Sequence, residues 1–168
     1  MSQPILSRTG ILSYLDDDSR EAFTSYGSWL ATEAGQVLIR EGEINRHLYI
    51  VGSGIFGITA ELKGQQVTLD SVSVGDCLGE VSVFDPELAS ATVTSLTEGQ
   101  LWAIDAESLQ QFLSDSPGCG CAVILGIDVI LARRLRHATS VIRSHAIVPG
   151  FLSVRSQARA KSRLAGES

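Results

Sequence analysis

The chain has 168 residues, 44% of them hydrophobic and 19% charged, with a formal net charge of -6. That is the composition of one globular domain with a short remainder, and it excludes a disordered chain. It also excludes a spanning helix, since no run approaches the roughly 18 consecutive apolar residues that a bilayer requires. Met1 to Leu12 has no basic start followed by an apolar core, so a cytoplasmic location and no membrane partner are expected.

Charge is divided unevenly along the chain. Residues 1–130 hold 18 acidic and 5 basic residues, whereas 131–168 hold 8 basic ones (Arg133, Arg134, Arg136, Arg143, Arg155, Arg159, Lys161 and Arg163) and one acid, Glu167. The body repels polyanions and only the C-terminal end attracts them, unless those cations are simply a solvated helix face and tail. Three cysteines, Cys77, Cys119 and Cys121, are an odd number and too few for a four-thiolate cluster. Cys119 and Cys121 have no C-x-x-C partner or nearby histidine, so no metal site is expected.

From the N-terminus, Ile11 to Leu30 reads as one or two short helices. Asp18 and Glu21 have capping-box spacing, and Leu15, Ala22, Phe23 and Tyr26 recur at helical intervals before Gly27. Trp29 and Leu30 then lead into strands, with Trp29 as a core residue. Gln36 to Ile104 turns to short β-branched or aromatic runs at 36–40, 47–51, 55–60, 66–72, 91–95 and 100–104, separated by turn residues. Lys63-Gly64 marks one hairpin tip and Gly52-Ser53-Gly54 another. Without helices between the strands, the pattern predicts a mostly β fold with flanking helices, a small antiparallel jelly roll.

Residues 75–95 read as a short apolar step between two glycines, one helical turn from Glu80, a break at Pro86 and an alternating strand from Ala91 to Ser95, and the helix start leaves backbone N–H groups facing outward as an anion cradle. The cradle carries Glu80, Asp85 and Glu87 and neither Lys nor Arg. Asp105 then caps a helix over 105–113, ended by Pro117-Gly118. Ala122 to about Ile147 is the longest helical pattern, with Ile124, Ile127, Leu131, Leu135, Ala138 and Ile142 in one stripe and Val123, Ile130 and Val141 widening it. A helix apolar on more than one side has more than one surface to bury against. Pro149-Gly150 breaks it, leaving a basic tail. The expected domains are therefore 1–121 (helices and roll), 122–148 (long helix) and 149–168 (tail).

Residues 75–95 resemble the phosphate-binding cassette of the cyclic-nucleotide-binding domain, the sensor half of the catabolite activator and Fnr (Crp/Fnr) regulators. Gly79-Glu80 matches its opening and Ser90-Ala91-Thr92-Val93 its close. Gly35 to Glu43 and Leu48 to Gly54 look like the family's first hairpins, so the resemblance covers roughly residues 10–145. It implies a double-stranded β-helix followed by a long helix that pairs with its twin and closes over the nucleotide, hence a homodimer. The other reading of that helix is that it folds back on its own roll. Eighteen residues after Pro149-Gly150 are too few for a helix-turn-helix reader, so no sequence-specific DNA binding is expected.

The resemblance also implies roles. Glu80 is the acid that accepts from the sugar hydroxyl, or else a solvent-facing cap; Ser90 and the Ala91 N–H are neutral phosphate donors. Thr139 and Ser140 fall within one residue of a polar pair that contacts the base, or are hydroxyls bonded to their own helix carbonyls. The family's arginine falls on Ala89, and a methyl cannot supply the paired charge-assisted bonds a cyclic phosphate takes from a guanidinium. Between residues 41 and 132 the basic side chains are Arg46 and Lys63 alone. His47, His137 and His145 stand beside no nucleophile, so no catalytic constellation is expected. The expected function is a non-enzymatic regulatory module with a degenerate cassette, without cyclic AMP or cyclic GMP as cofactor, acting through dimerisation or a protein partner and with an unidentified small-molecule ligand or none. The alternative is a genuine cyclic-nucleotide sensor or a remnant transcription regulator.

Overall fold

The computed structural model describes residues 5–145 of the chain. A first compact unit runs to Leu131 and a second begins at Ala132. The Pro149-Gly150 break and the basic tail lie outside the described residues.

After a 3-10 turn at Gly10–Leu12 come α1 (Asp17–Thr24), β1 (Ser28–Thr32), β2 (Val37–Ile39), β3 (His47–Ser53), β4 (Phe56–Leu62), β5 (Gln65–Val72) and β6 (Cys77–Leu78). Then follow α2 (Glu80–Phe84), β7 (Thr92–Ser95), β8 (Gly99–Asp105), α3 (Ala106–Asp115) and the long α4 (Pro117–His145). Two four-stranded sheets, ordered β1-β8-β3-β6 and β2-β7-β4-β5, form the expected antiparallel jelly roll ahead of a long helix.

The hairpin tip at Lys63-Gly64 is a two-residue turn between paired Leu62 and Gln65, with positive φ at both residues (54° and 77°), the geometry that matches strand twist. Gly52-Ser53-Gly54 is not a hairpin tip. It joins β3 to β4, which lie in different sheets, so it carries the chain across the roll. Turn composition signals a change of direction but not the partner each strand then takes.

Two apolar clusters fill the first unit. One gathers Leu12, Phe23, Trp102, Phe112, Val123 and Ile127 with other residues of the helices and β8. The other, inside the roll, holds Ile39, Val51, Phe56, Val72, Leu78, Ala89, Val93 and Leu101. Trp29 packs half-buried against the first.

Three further expectations are corrected at helix ends. The α1 cap is Asp16, whose carboxylate accepts from the Ser19 N–H at 2.8 Å, not Asp18, which lies inside the helix. Ala22, expected on the helix's apolar face, is exposed. The long helix starts at Pro117 rather than Ala122, because proline's fixed φ and missing N–H suit the first helical position as well as they end a preceding helix. Its early turns approach closely: a Cβ on Gly126 would stand 2.1 Å from the Ile11 carbonyl oxygen. Asp105 caps α3 as expected, accepting from the Ser108 N–H at 2.8 Å and the Ser108 hydroxyl at 3.0 Å.

Candidate functional site

The cassette is assembled on β3. Ahead of β6, the Gly75 N–H donates to the Val51 carbonyl (3.0 Å) and the Val51 N–H to the Asp76 carbonyl (2.9 Å), so the turn is fixed from both sides. β6 then pairs Cys77 with Ile50 and Leu78 with Tyr49. Gly79 follows in the left-handed region (φ 75°), where a Cβ would meet the His47 carbonyl oxygen at 2.3 Å and Asn45 Nδ2 at 2.4 Å. Only glycine satisfies both the backbone angle and the space.

Glu80 opens α2 and is buried, at 4% exposure, so it is not the solvent-facing cap allowed by the alternative reading. Beyond α2 the loop is clipped to the turn after β2. The Ala89 N–H donates to the Glu43 carbonyl (2.9 Å), the Gly42 N–H to the Ala89 carbonyl (2.8 Å), and Leu88 bridges Ile44. The Glu41 N–H donates to Thr92 Oγ1 at 3.0 Å, which closes the clip.

Ala89 is 8% exposed and its methyl belongs to the roll's interior cluster. The position that the resemblance gives to an arginine is occupied by packed hydrocarbon. Tyr49 packs half-buried on the same cluster, and burial pushes its phenol above the ordinary value because the phenolate would lose hydration. Ser90 is exposed and Ala91 half-buried, next to the strand that starts at Thr92. From Gly64 to Ala132 the sequence holds ten carboxylates and no Lys, Arg or His.

The first unit thus brings Gly79, Glu80, Ala89, Ser90 and Ala91 into one loop system. Thr139 and Ser140 belong to the second unit and are exposed there, and the Thr139 hydroxyl donates to the Leu135 carbonyl of its own helix at 2.8 Å. Of the α4 stripe, Ile127 is buried in the chain's own core and Leu131 packs half-buried against it. Ile124 (43%) and Leu135 (70%) are exposed, as is Ala138, and the Ile142 side chain lies outside the described residues. Val123 and Ile130 are likewise consumed by the chain's own core.

Sequence reading missed Arg40. Its side chain lines an open cleft of about 640 Å³ with Glu41, Glu61, Gln66 and Thr92, one residue beyond Ala91. The guanidinium Nε stands 3.5 Å from Glu43 Oε1, and both side chains are largely exposed. No sequence signal marks it, because Gly42 and Glu43 meet Ala89 only once the roll has folded. Cys77 is buried, Cys121 is exposed, and the Cys119 thiol lies 3.2 Å from the Ser19 hydroxyl. Among the described residues no helix is long and apolar enough to cross a membrane.

The family model described as cyclic nucleotide-binding domain matches residues 30–116. The chain is 28% identical over 137 residues to a CRP-like cAMP-activated global transcriptional regulator of Mycobacterium tuberculosis (strain CDC 1551 / Oshkosh), a match covering 81% of this chain and 59% of the relative's length. Because that relative is named a transcriptional regulator, it lends no support to the expectation that sequence-specific DNA binding is absent. The N-terminal domain of a transcriptional regulator from Streptomyces coelicolor A3(2) superposes with a TM-score of 0.65 at 30% identity, over 81% of this chain and 92% of that one. The regulatory subunit of a cAMP-independent protein kinase A from Trypanosoma brucei, solved as a mutant bound to cAMP in its A site, shares the fold at 19% identity. Its TM-score is 0.62, over 91% of this chain and 48% of that one. With its roll, its glycine-turned cassette and these matches together, the chain belongs to the cyclic nucleotide-binding domain family, within the Crp/Fnr superfamily.

Proposed function

We propose that this chain is a non-enzymatic regulatory module whose cassette does not hold a cyclic nucleotide at ordinary signalling concentrations, and which acts through a protein partner. The observation that carries the reading is the Ala89 methyl packed in the roll interior at 8% exposure. A cyclic phosphate carries a full negative charge, and removing one partner of a buried charged hydrogen bond costs about 2–5 kcal/mol, or roughly 30- to 4,000-fold in affinity. Fold alone does not dictate a response to cAMP, and the Trypanosoma protein of this fold is described as cAMP-independent.

Isothermal calorimetry of the full chain with cyclic AMP and with cyclic GMP is expected to show no binding at micromolar concentrations. Micromolar binding of either would overturn the reading, because a cation from outside the cassette would then be supplying the missing charge.

A homodimer is supported by a second observation, the exposure of Ile124 (43%), Leu125 (57%) and Leu135 (70%) on α4. Leu135→Glu is expected to convert a sedimenting dimer to monomer, and Leu135 is the better site because Leu131 also packs on the chain's own core. A native chain that already sediments as a monomer at tens of micromolar would end the proposal.

A further inference from the structure

We propose that the groove between α2 and α3 docks a basic amphipathic helix of a partner protein. The proposal rests on the regulatory reading and names the chemistry of the partner it requires. The groove, a cavity of about 410 Å³, is lined by the apolar Val83, Phe84, Ala106, Leu109 and Leu113 and by the polar Glu107 and Gln110. Its apolar surface continues outward. Phe84 is 49% exposed and Val81, one turn earlier on the same face of α2, is 53% exposed. A surface that runs on past its cleft suits a segment of protein rather than a small molecule enclosed by its pocket.

Charge selects among protein segments. Glu107 lines the groove, and the exposed Asp85 and Glu87 follow Phe84 in sequence. No cation occurs in the sequence from Gly64 to Ala132, and although the Arg46 carbonyl accepts from the Ala106 N–H at 3.0 Å and so brings one cation to the groove, the three carboxylates outnumber it. Anionic lipid, nucleic acid and acidic peptide are therefore repelled, whereas a helix presenting an apolar stripe flanked by Lys or Arg meets both features at once. A groove formed between two helices takes a third by the same side-chain interdigitation that packs helices in cores.

The test uses the full chain and two synthetic peptides of about 18 residues, long enough to be helical in water. Both carry leucines in a one-face stripe; one has lysine at its flanking positions and the other glutamate. By fluorescence anisotropy at low salt the lysine peptide is expected to bind in the micromolar range and the glutamate peptide at least roughly tenfold more weakly, with the difference shrinking in about 0.5 M salt. Phe84→Ser is expected to weaken the lysine peptide roughly tenfold by removing apolar contact. Glu107→Lys, a surface change that does not disturb packing, is expected to weaken it similarly and to improve binding of the glutamate peptide.

Equal binding by the native chain and both variants would mean diffuse attraction to an acidic body and would overturn the proposal, as would no binding of the lysine peptide. Self-association of the native chain that Phe84→Ser abolishes would assign the face to a second copy and overturn it too. The nucleotide calorimetry separates the two claims. Failure of peptide binding with no nucleotide binding removes only this surface assignment, while micromolar nucleotide binding removes the regulatory reading whatever the peptides do.

Discussion

The cluster shared by α1, β8 and α3 and the cluster inside the roll are both buried, yet they are built differently. In the first, Phe23 stands between Trp102 (centroids 4.7 Å apart) and Phe112 (4.8 Å), and the Trp102 indole N–H donates to the Thr24 carbonyl at 3.2 Å. In the second, Phe56 is the one fully buried ring, Tyr49 packs half-buried against the cluster, and the other buried members are aliphatic down to the single methyl of Ala89. Interlocked rings with a satisfied polar edge leave little freedom to repack. An aliphatic interior that ends in a methyl under a loop can exchange side chains at smaller cost. The ring cluster holds the fold, and the roll interior is where the family's chemistry can be changed.

The sharpest way to break this contrast is Trp102→Ala. It removes a ring at 0% exposure together with its hydrogen bond and is expected to cost about 3–5 kcal/mol in urea unfolding. A loss no larger than that of an Ala-for-Val change at Val93 would show that the two clusters are equivalent.

The next largest effect is expected from Ala89→Arg. The new guanidinium replaces a buried methyl, so the free variant should unfold more easily than the native chain. Cyclic AMP should then raise its melting temperature, by about 2.7 kcal/mol of stabilisation at a hundredfold excess over Kd, while leaving the native chain unmoved. Capture of the arginine by Asp85 or Glu87 would give a stable variant without the cyclic AMP response, and the comparison would then rest on the native titration.

The smallest effect concerns the α3 cap below the ring cluster. Hydrogen bonds from Ser108, chiefly its backbone N–H, hold the Asp105 carboxyl below its ordinary value against the opposing effect of burial. A depressed folded value means the cap contributes above the ordinary carboxylate range and is lost as pH falls through the folded value. Asp105→Ala is expected to cost about 1 kcal/mol at neutral pH, and the gap from the native chain should close in strong acid. A gap that stays constant with pH would assign the cost to packing.

Much of this was legible in the sequence, for identifiable reasons. The strand expected at 66–72, observed at Gln65–Val72, and the tip at Lys63-Gly64 could be read because a strand-favouring run and a turn pair each report on their own neighbours. Gly79-Glu80 and Ser90-Ala91 carried the site because its backbone requirements are local. Cys77–Leu78 could not be read as a strand, since two residues have no period and pair only because β3 is already there. Asp16 lost to Asp18 for a similar reason: both are acids near the helix start, and the choice is made by which carboxylate meets Ser19. The α4 stripe named Ile127 and Ile124 together, but burial divides them, because periodicity reports that a face is apolar and not what covers it. Arg40 was out of reach altogether, being separated from Thr92 by half a hundred residues of chain that the roll folds back on itself.

The clip between Ile44 and Leu88 has a further consequence for how such a cassette can change over time. Within it neighbouring residues face opposite ways, with Leu88 60% exposed and Ala89 8% exposed. Which residue plugs the roll is therefore decided by parity, not by identity. Inserting a single residue between Pro86 and Leu88, with the clip re-formed one step along, would turn Leu88 inward and Ala89 out without altering either side chain, whereas deleting Glu87 would bring Ser90 inward. Loop length here is a second route to a new interior, independent of substitution, and it can swap what a roll of this kind encloses in one mutational step.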